Sequence, residues 1–140
     1  MGKINWGRVF LGGLLAGVVL NLFEFVLHSF VLQEDWQAAF AALGKPEPGS
    51  GAIVIFVVTL FAVGILAIWL YAGLRPRYGP GPGTAICVGF LVWALAYLMP
   101  TLGNIALGIF PTGLMLIPTA VGLVEVPLAT LAGAWTYKED

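Results

Sequence analysis

The sequence predicts an all-α integral membrane protein: a bundle of four transmembrane helices with one short amphipathic helix on the membrane surface. Two observations carry this. Of 140 residues, 60% are hydrophobic and 9% charged, with a mean hydropathy of +0.99; soluble domains carry about 25% charged residues. Four apolar segments also approach or exceed the roughly 20 residues that a bilayer-spanning helix needs. A net charge of −1 leaves no basic patch to neutralise phosphates, which excludes nucleic acid as a partner. The single cysteine, Cys87, excludes a disulfide framework and a cysteine-rich metal site.

The predicted spans are residues 6–32, 52–74, 84–101 and 113–135, forming one transmembrane domain. No charged residue lies between Arg77 and Glu125. That stretch is too long for one helix, and Pro100, Gly103, Asn104, Pro111 and Gly113 divide it into two. Lys3 and Arg8 precede the first apolar run like a signal peptide, but Glu24 and His28 interrupt it and no small-residue cleavage site follows, so it reads as a retained helix. The first connection contains a helix over 34–43. Glu34 and Asp35 suit its N-terminus, Trp36, Phe40 and Leu43 recur at helical spacing, and Gly44 with Pro46 ends it. It is expected to lie in the interface as an anchor, or to act as a lid or docking surface. The connection 102–112 is apolar, and the GPGPG turn at 79–83 lacks the Lys-Ser/Thr and preceding strand of a phosphate loop.

Four spans place Lys3, Arg8, Arg75, Arg77 and Lys138 on one side and Lys45 alone on the other. The positive-inside rule therefore predicts both termini in the cytoplasm, and a bacterial inner membrane as the location. Residues 63–76 echo 88–100, and 21–27 echo 122–128. This is the pattern of an inverted repeat, although Leu/Val/Gly/Ala-rich segments resemble one another by composition.

The chemically informative residues are the polar ones inside the spans. Gly13, Gly17, Asn21, Glu24 and His28 share one face of the first helix at 100° per residue. Pro118, Gly122, Glu125, Ala129, Ala132 and Gly133 share a face of the fourth. Small residues let backbones approach closely, and a carboxylate facing lipid costs at least about 2.5–3.5 kcal/mol. Both stripes should therefore point inward, with helix one packed on helix four. Glu125 is expected near mid-depth and Glu24 roughly 7–8 Å further along the bundle axis. No embedded lysine or arginine neutralises them, so at least one should be protonated.

Three readings of the cluster Asn21, Glu24, His28 and Glu125 stay open. The carboxyls could fix helix packing by hydrogen bonds to Asn21, Thr59 or a carbonyl freed by Pro127. They could form a proton or cation site. Alternatively, His28 could hold a metal, haem or pigment, although Glu24 and His28 alone are too few ligands for a stable metal site. No catalytic residue set is present, and Cys87 sits among apolar neighbours as a small hydrophobe.

The segments INW (4–6), EDW to ALGKP (34–46), RPRYGPGP (75–82) and GLVEVPLATLAGAW (122–135) together resemble small four-helix bacterial membrane proteins. The first 45 or so residues are also similar to the DUF1761 family. That resemblance implies a bacterial inner-membrane protein and carries no activity over to Glu24, His28 or Glu125. The expected function is a non-catalytic accessory or scaffold subunit of a larger membrane complex, of the kind energy-transducing assemblies carry. The expected partners are lipid and other membrane subunits or further copies of itself. The alternatives are a small homo-oligomeric proton- or cation-coupled transporter using Glu24 and Glu125, and a haem- or pigment-binding subunit using His28.

Overall fold

The computed structural model describes residues 2–139. It contains five helices: α1 (Trp6–Val31), α2 (Gln33–Ala42), α3 (Ser50–Tyr78), α4 (Pro82–Leu107) and α5 (Thr112–Thr136). All but α2 are long and apolar enough to cross a membrane. The chain is a small multi-pass membrane protein.

Each helix starts and stops for local reasons. The Asn5 side chain caps α1 by accepting the Arg8 N–H at 3.1 Å. Glu34 and Asp35 occupy the first turn of α2, where they complement the helix dipole. Gly44, Gly79 and Gly108 follow α2, α3 and α4 with φ of 65°, 88° and 64°, a left-handed backbone that favours glycine at a helix end. Arg75 and Arg77 lie in the last turn of α3, where cations are favoured.

Helix α4 differs most from the sequence expectation. It passes through Pro100, Gly103 and Asn104 and ends at Leu107, so the connection expected over 102–112 shrinks to 108–111. A proline has no N–H and its ring crowds the preceding turn. Here a π turn over Ala94–Leu98, closed by Met99 N–H donating to the Ala94 carbonyl, loosens the helix just before Pro100. The Asn104 amide then donates to the Pro100 carbonyl at 3.0 Å. Helix α3 is likewise longer than the expected 52–74, running from Ser50 to Tyr78 with Pro76 in its last turn.

Around the bundle, α1 packs between α3 and α5, and α5 packs between α1 and α4. Val9, Ala16 and Leu20 of α1 meet Ile68, Tyr71 and Ala72 of α3, Ala85 and Val88 of α4, and Val126 and Ala129 of α5. A second cluster of Leu27, Leu32, Ala39 and Leu114 forms where α2 folds back on the bundle, with Trp36 and Phe110 against it. Leucines, isoleucines, valines and phenylalanines cover the periphery, including every residue from Ile53 to Val58. In a bilayer that exposure carries no hydrophobic cost, because lipid tails are as apolar as leucine.

Helix one packs on the fourth span as expected, but the small-residue seams divide between partners. A Cβ on Gly64 of α3 would lie 2.5 Å from the Gly13 carbonyl oxygen and 2.6 Å from the Gly17 nitrogen. Gly13 and Gly17 therefore form the α1–α3 contact. The α1–α5 crossing is instead made one residue away, where a Cβ on Gly12 would lie 2.5 Å from the Gly133 carbonyl oxygen. Gly122 leaves room for Tyr97 and Trp93 of α4, and Gly89 leaves room for the Pro127 backbone. Ala129 is buried in the core.

Candidate functional site

Glu125 lies in α5 near the middle of the bundle and is completely buried. Its Oε1 accepts the Tyr97 hydroxyl of α4 at 3.0 Å. Glu24 of α1 reaches it from the other side, close enough for the two carboxyls to share a hydrogen bond. The Oε2 of Glu24 faces His28 Nε2 at 2.7 Å. Trp36 of α2 completes the series by donating its indole N–H to His28 Nδ1 at 2.8 Å. A continuous row of polar side chains, Trp36–His28–Glu24–Glu125–Tyr97, thus runs from the surface helix into the bundle.

The indole fixes the histidine tautomer. Trp Nε1–H can only donate, so Nδ1 of His28 must be an acceptor. In the neutral ring the proton then sits on Nε2 and is donated to Glu24. Two carboxyl oxygens remain, Oε1 of Glu24 and Oε2 of Glu125, and both are shielded from solvent without a donor. Among the described residues no lysine or arginine pairs with either carboxyl; the neutral His28 ring bonds Glu24, and the ion pair is Arg75–Glu139 at 3.6 Å, at the end that carries the termini.

Local backbone geometry helps set this row. His28 lies in a π turn, Leu27–Val31, that ends α1, and Tyr97 lies in the π turn of α4. Such turns re-aim the side chains that follow and occur often at functional sites. Close by, the Trp93 indole donates to the Thr119 carbonyl at 2.8 Å, and the Thr101 and Thr119 hydroxyls meet at 2.6 Å. These contacts hold α4 on α5 beside Tyr97.

Of the four residues expected to cluster, Glu24, His28 and Glu125 come together and Asn21 does not. The Asn21 amide donates to the Gly17 carbonyl at 2.9 Å and to the Val57 carbonyl of α3 at 3.4 Å, tying α1 to α3. Thr59, considered as a partner for the carboxyls, is exposed on α3. The carboxyls bond His28 and Tyr97 in place of the carbonyl freed by Pro127. Tyr97 and Trp36 were not singled out for this role in the sequence. A lone tyrosine within a third span was a weak signal for Tyr97. Trp36 was visible only as part of the apolar face of α2.

Metal and haem readings find little support here. Among the described residues no group of three or more His, Cys, Asp or Glu could hold a metal ion. Both ring nitrogens of His28 are engaged, so an axial ligand role would require Trp36 or Glu24 to leave. Cys87 is exposed on the periphery of α4.

Fold and site together define a small four-span membrane protein with a carboxyl pair, one member buried and one half-buried, wired to one histidine. No family model, curated protein or solved structure matches the chain. Of the resemblance expected from the sequence, what is shown is a four-helix protein with four candidate membrane spans.

Proposed function

We propose that the protein is a small proton-coupled membrane transporter in which Glu24 and Glu125 bind and release a shared proton. The observation that carries this reading is the pair of donorless oxygens, Glu24 Oε1 and Glu125 Oε2, between two carboxyls close enough to bond each other. One proton between them gives both oxygens a partner and leaves the pair with a single negative charge. Two adjacent carboxylates with no cation beside them cannot both stay ionised. The other two oxygens are taken by His28 and Tyr97. The pair thus offers two oxygens to a guest, whereas a hard metal cation takes about six or more. Intramembrane carboxyls of this kind mark proton relays in pumps and transporters.

The test is proton uptake into liposomes containing the purified protein, read with an enclosed pH-sensitive dye under an imposed gradient. Wild type should acidify the lumen faster than empty liposomes, and Glu24→Gln and Glu125→Gln should reduce uptake to the empty-liposome rate while inserting normally. Wild-type uptake equal to that of empty liposomes, or undiminished uptake in Glu125→Gln, would overturn the reading.

The accessory-subunit reading is the second candidate, favoured by the stretch Ile53–Val58 of α3, whose apolar side chains are exposed. Stoichiometric co-purification of other membrane proteins from the native host in mild detergent supports it; a small particle of this chain alone counts against it.

A further inference from the structure

The bond between Trp36 and His28 can exist in only one protonation state of the ring. An imidazolium carries N–H groups on both nitrogens. With a proton on Nδ1, the indole N–H of Trp36, now 2.8 Å away, would face another donor. Protonation of His28 and attachment of Trp36 are therefore mutually exclusive at this site. We propose that α2 is a proton-operated latch, held closed by Trp36 on neutral His28 and released when Nδ1 takes a proton, which opens the row leading to Glu24 and Glu125.

The packing of α2 suits a latch better than a fixed strut. Its apolar hold rests on few contacts: Trp36 and Phe40 meet Phe110 edge-on at 5.5 and 5.8 Å, and Ala39 sits on Leu114. Beside these contacts a groove of about 630 Å³ separates α2 from the start of α5, lined partly by Ala38, Ala42, Gly108 and Gly113. Small side chains leave that space unfilled, so little dispersion energy locks α2 down. The His28 side chain is one-third exposed, so the ring is not sealed inside the bundle.

The groups facing His28 determine how cleanly the latch responds. From its own helix the ring meets Glu24; from α2 it meets Trp36, which does not titrate. Glu34 and Asp35 lie in the exposed first turn of α2. The 108–111 connection and the first turn of α5, which press on Trp36 through Phe110, carry no titratable side chain. Glu125 and Tyr97 connect to the ring only through Glu24. The latch stands on the Trp36–His28 bond; that its opening serves proton entry rests on the transporter reading.

His28 is the only histidine in the chain, so ¹⁵N-histidine labelling gives one ring to observe. The full-length protein in lipid nanodiscs is titrated by NMR. At the alkaline end the ring should show a protonated Nε2 and a bare Nδ1. On acidification the Trp36 indole N–H, assigned by its loss in Trp36→Phe, should shift along the same titration curve as the ring. Amide exchange in α2, corrected for intrinsic rates, should rise by roughly 2- to 13-fold, the factor expected for one hydrogen bond. In Trp36→Phe that exchange should be fast at both ends of the titration and independent of the ring. A proton on Nδ1 at the alkaline end, or an indole N–H unmoved while the ring titrates fully, would overturn the latch. Repeating the titration in Glu125→Gln separates the two ideas, because the latch should persist there even though the carboxyl pair is disabled.

Discussion

Replacing Glu24 and Glu125 by glutamine, singly and together, tests the shared proton by counting donors. In the native row His28 and Tyr97 each supply a hydrogen to one carboxyl oxygen, at 2.7 and 3.0 Å, and one proton serves the two oxygens left over. A single glutamine places an N–H where that proton sits, so either Glu24→Gln or Glu125→Gln preserves the contact between α1 and α5. With both changed, two NH₂ groups face each other. Turning Gln at 24 round sets its N–H against that of His28, and turning the one at 125 strands the Tyr97 hydroxyl proton. Either way one buried polar group goes unsatisfied, at a cost of about 1–3 kcal/mol. The double mutant should therefore be less stable than the sum of the singles by about 1–3 kcal/mol. Reversible unfolding of all four proteins in mixed lipid–detergent micelles gives this coupling energy. A value within about 0.5 kcal/mol of zero is what independent sites give, and it would refute the shared proton.

Other consequences can be measured on the same preparations. Tyr97→Phe leaves Glu125 Oε1 without its donor and should destabilise the bundle by about 1–3 kcal/mol in the same unfolding assay. Gly64→Ala drives a Cβ against the backbone of both Gly13 and Gly17; overpacking of this kind costs about 1–3 kcal/mol. Gly113→Ala meets nothing within 4 Å and, by restricting the unfolded chain at a helical position, should raise stability by about 0.4–1 kcal/mol. In a Cys87→Ser background, a cysteine at Ser50 should react with an impermeant thiol reagent added outside intact cells and one at Gly83 should not. The reverse pattern would invert the orientation inferred from the basic residues.

The sequence made some of these features legible because they depend on local chemistry. Long apolar runs, the turn glycines and the acidic start of α2 each act within a few residues, so the four helices and the surface helix could be read directly. Glu24, His28 and Glu125 stood out because an ionisable group inside an apolar span is costly wherever it points. The rest needed three-dimensional information. Helical periodicity put Asn21 on the same face as Glu24, but that face is broad enough to touch both α3 and α5, and Asn21 turns to the Val57 carbonyl. Pro100 looked like a terminator because proline usually is one; the π turn ahead of it lets α4 continue. Trp36 joins the site only because α2 folds back across the end of α1, and nothing local to residue 36 encodes that.

Infrared spectroscopy of the carboxyl C=O stretch in the reconstituted protein tests the central claim most directly. The shared proton predicts a protonated-carboxyl band in wild type at neutral pH that shifts on exchange into D₂O and is lost or displaced in both Glu24→Gln and Glu125→Gln. Dependence on both residues follows because one proton belongs to both carboxyls. Absence of such a band in wild type, or a band that responds to one substitution and ignores the other, would contradict the account.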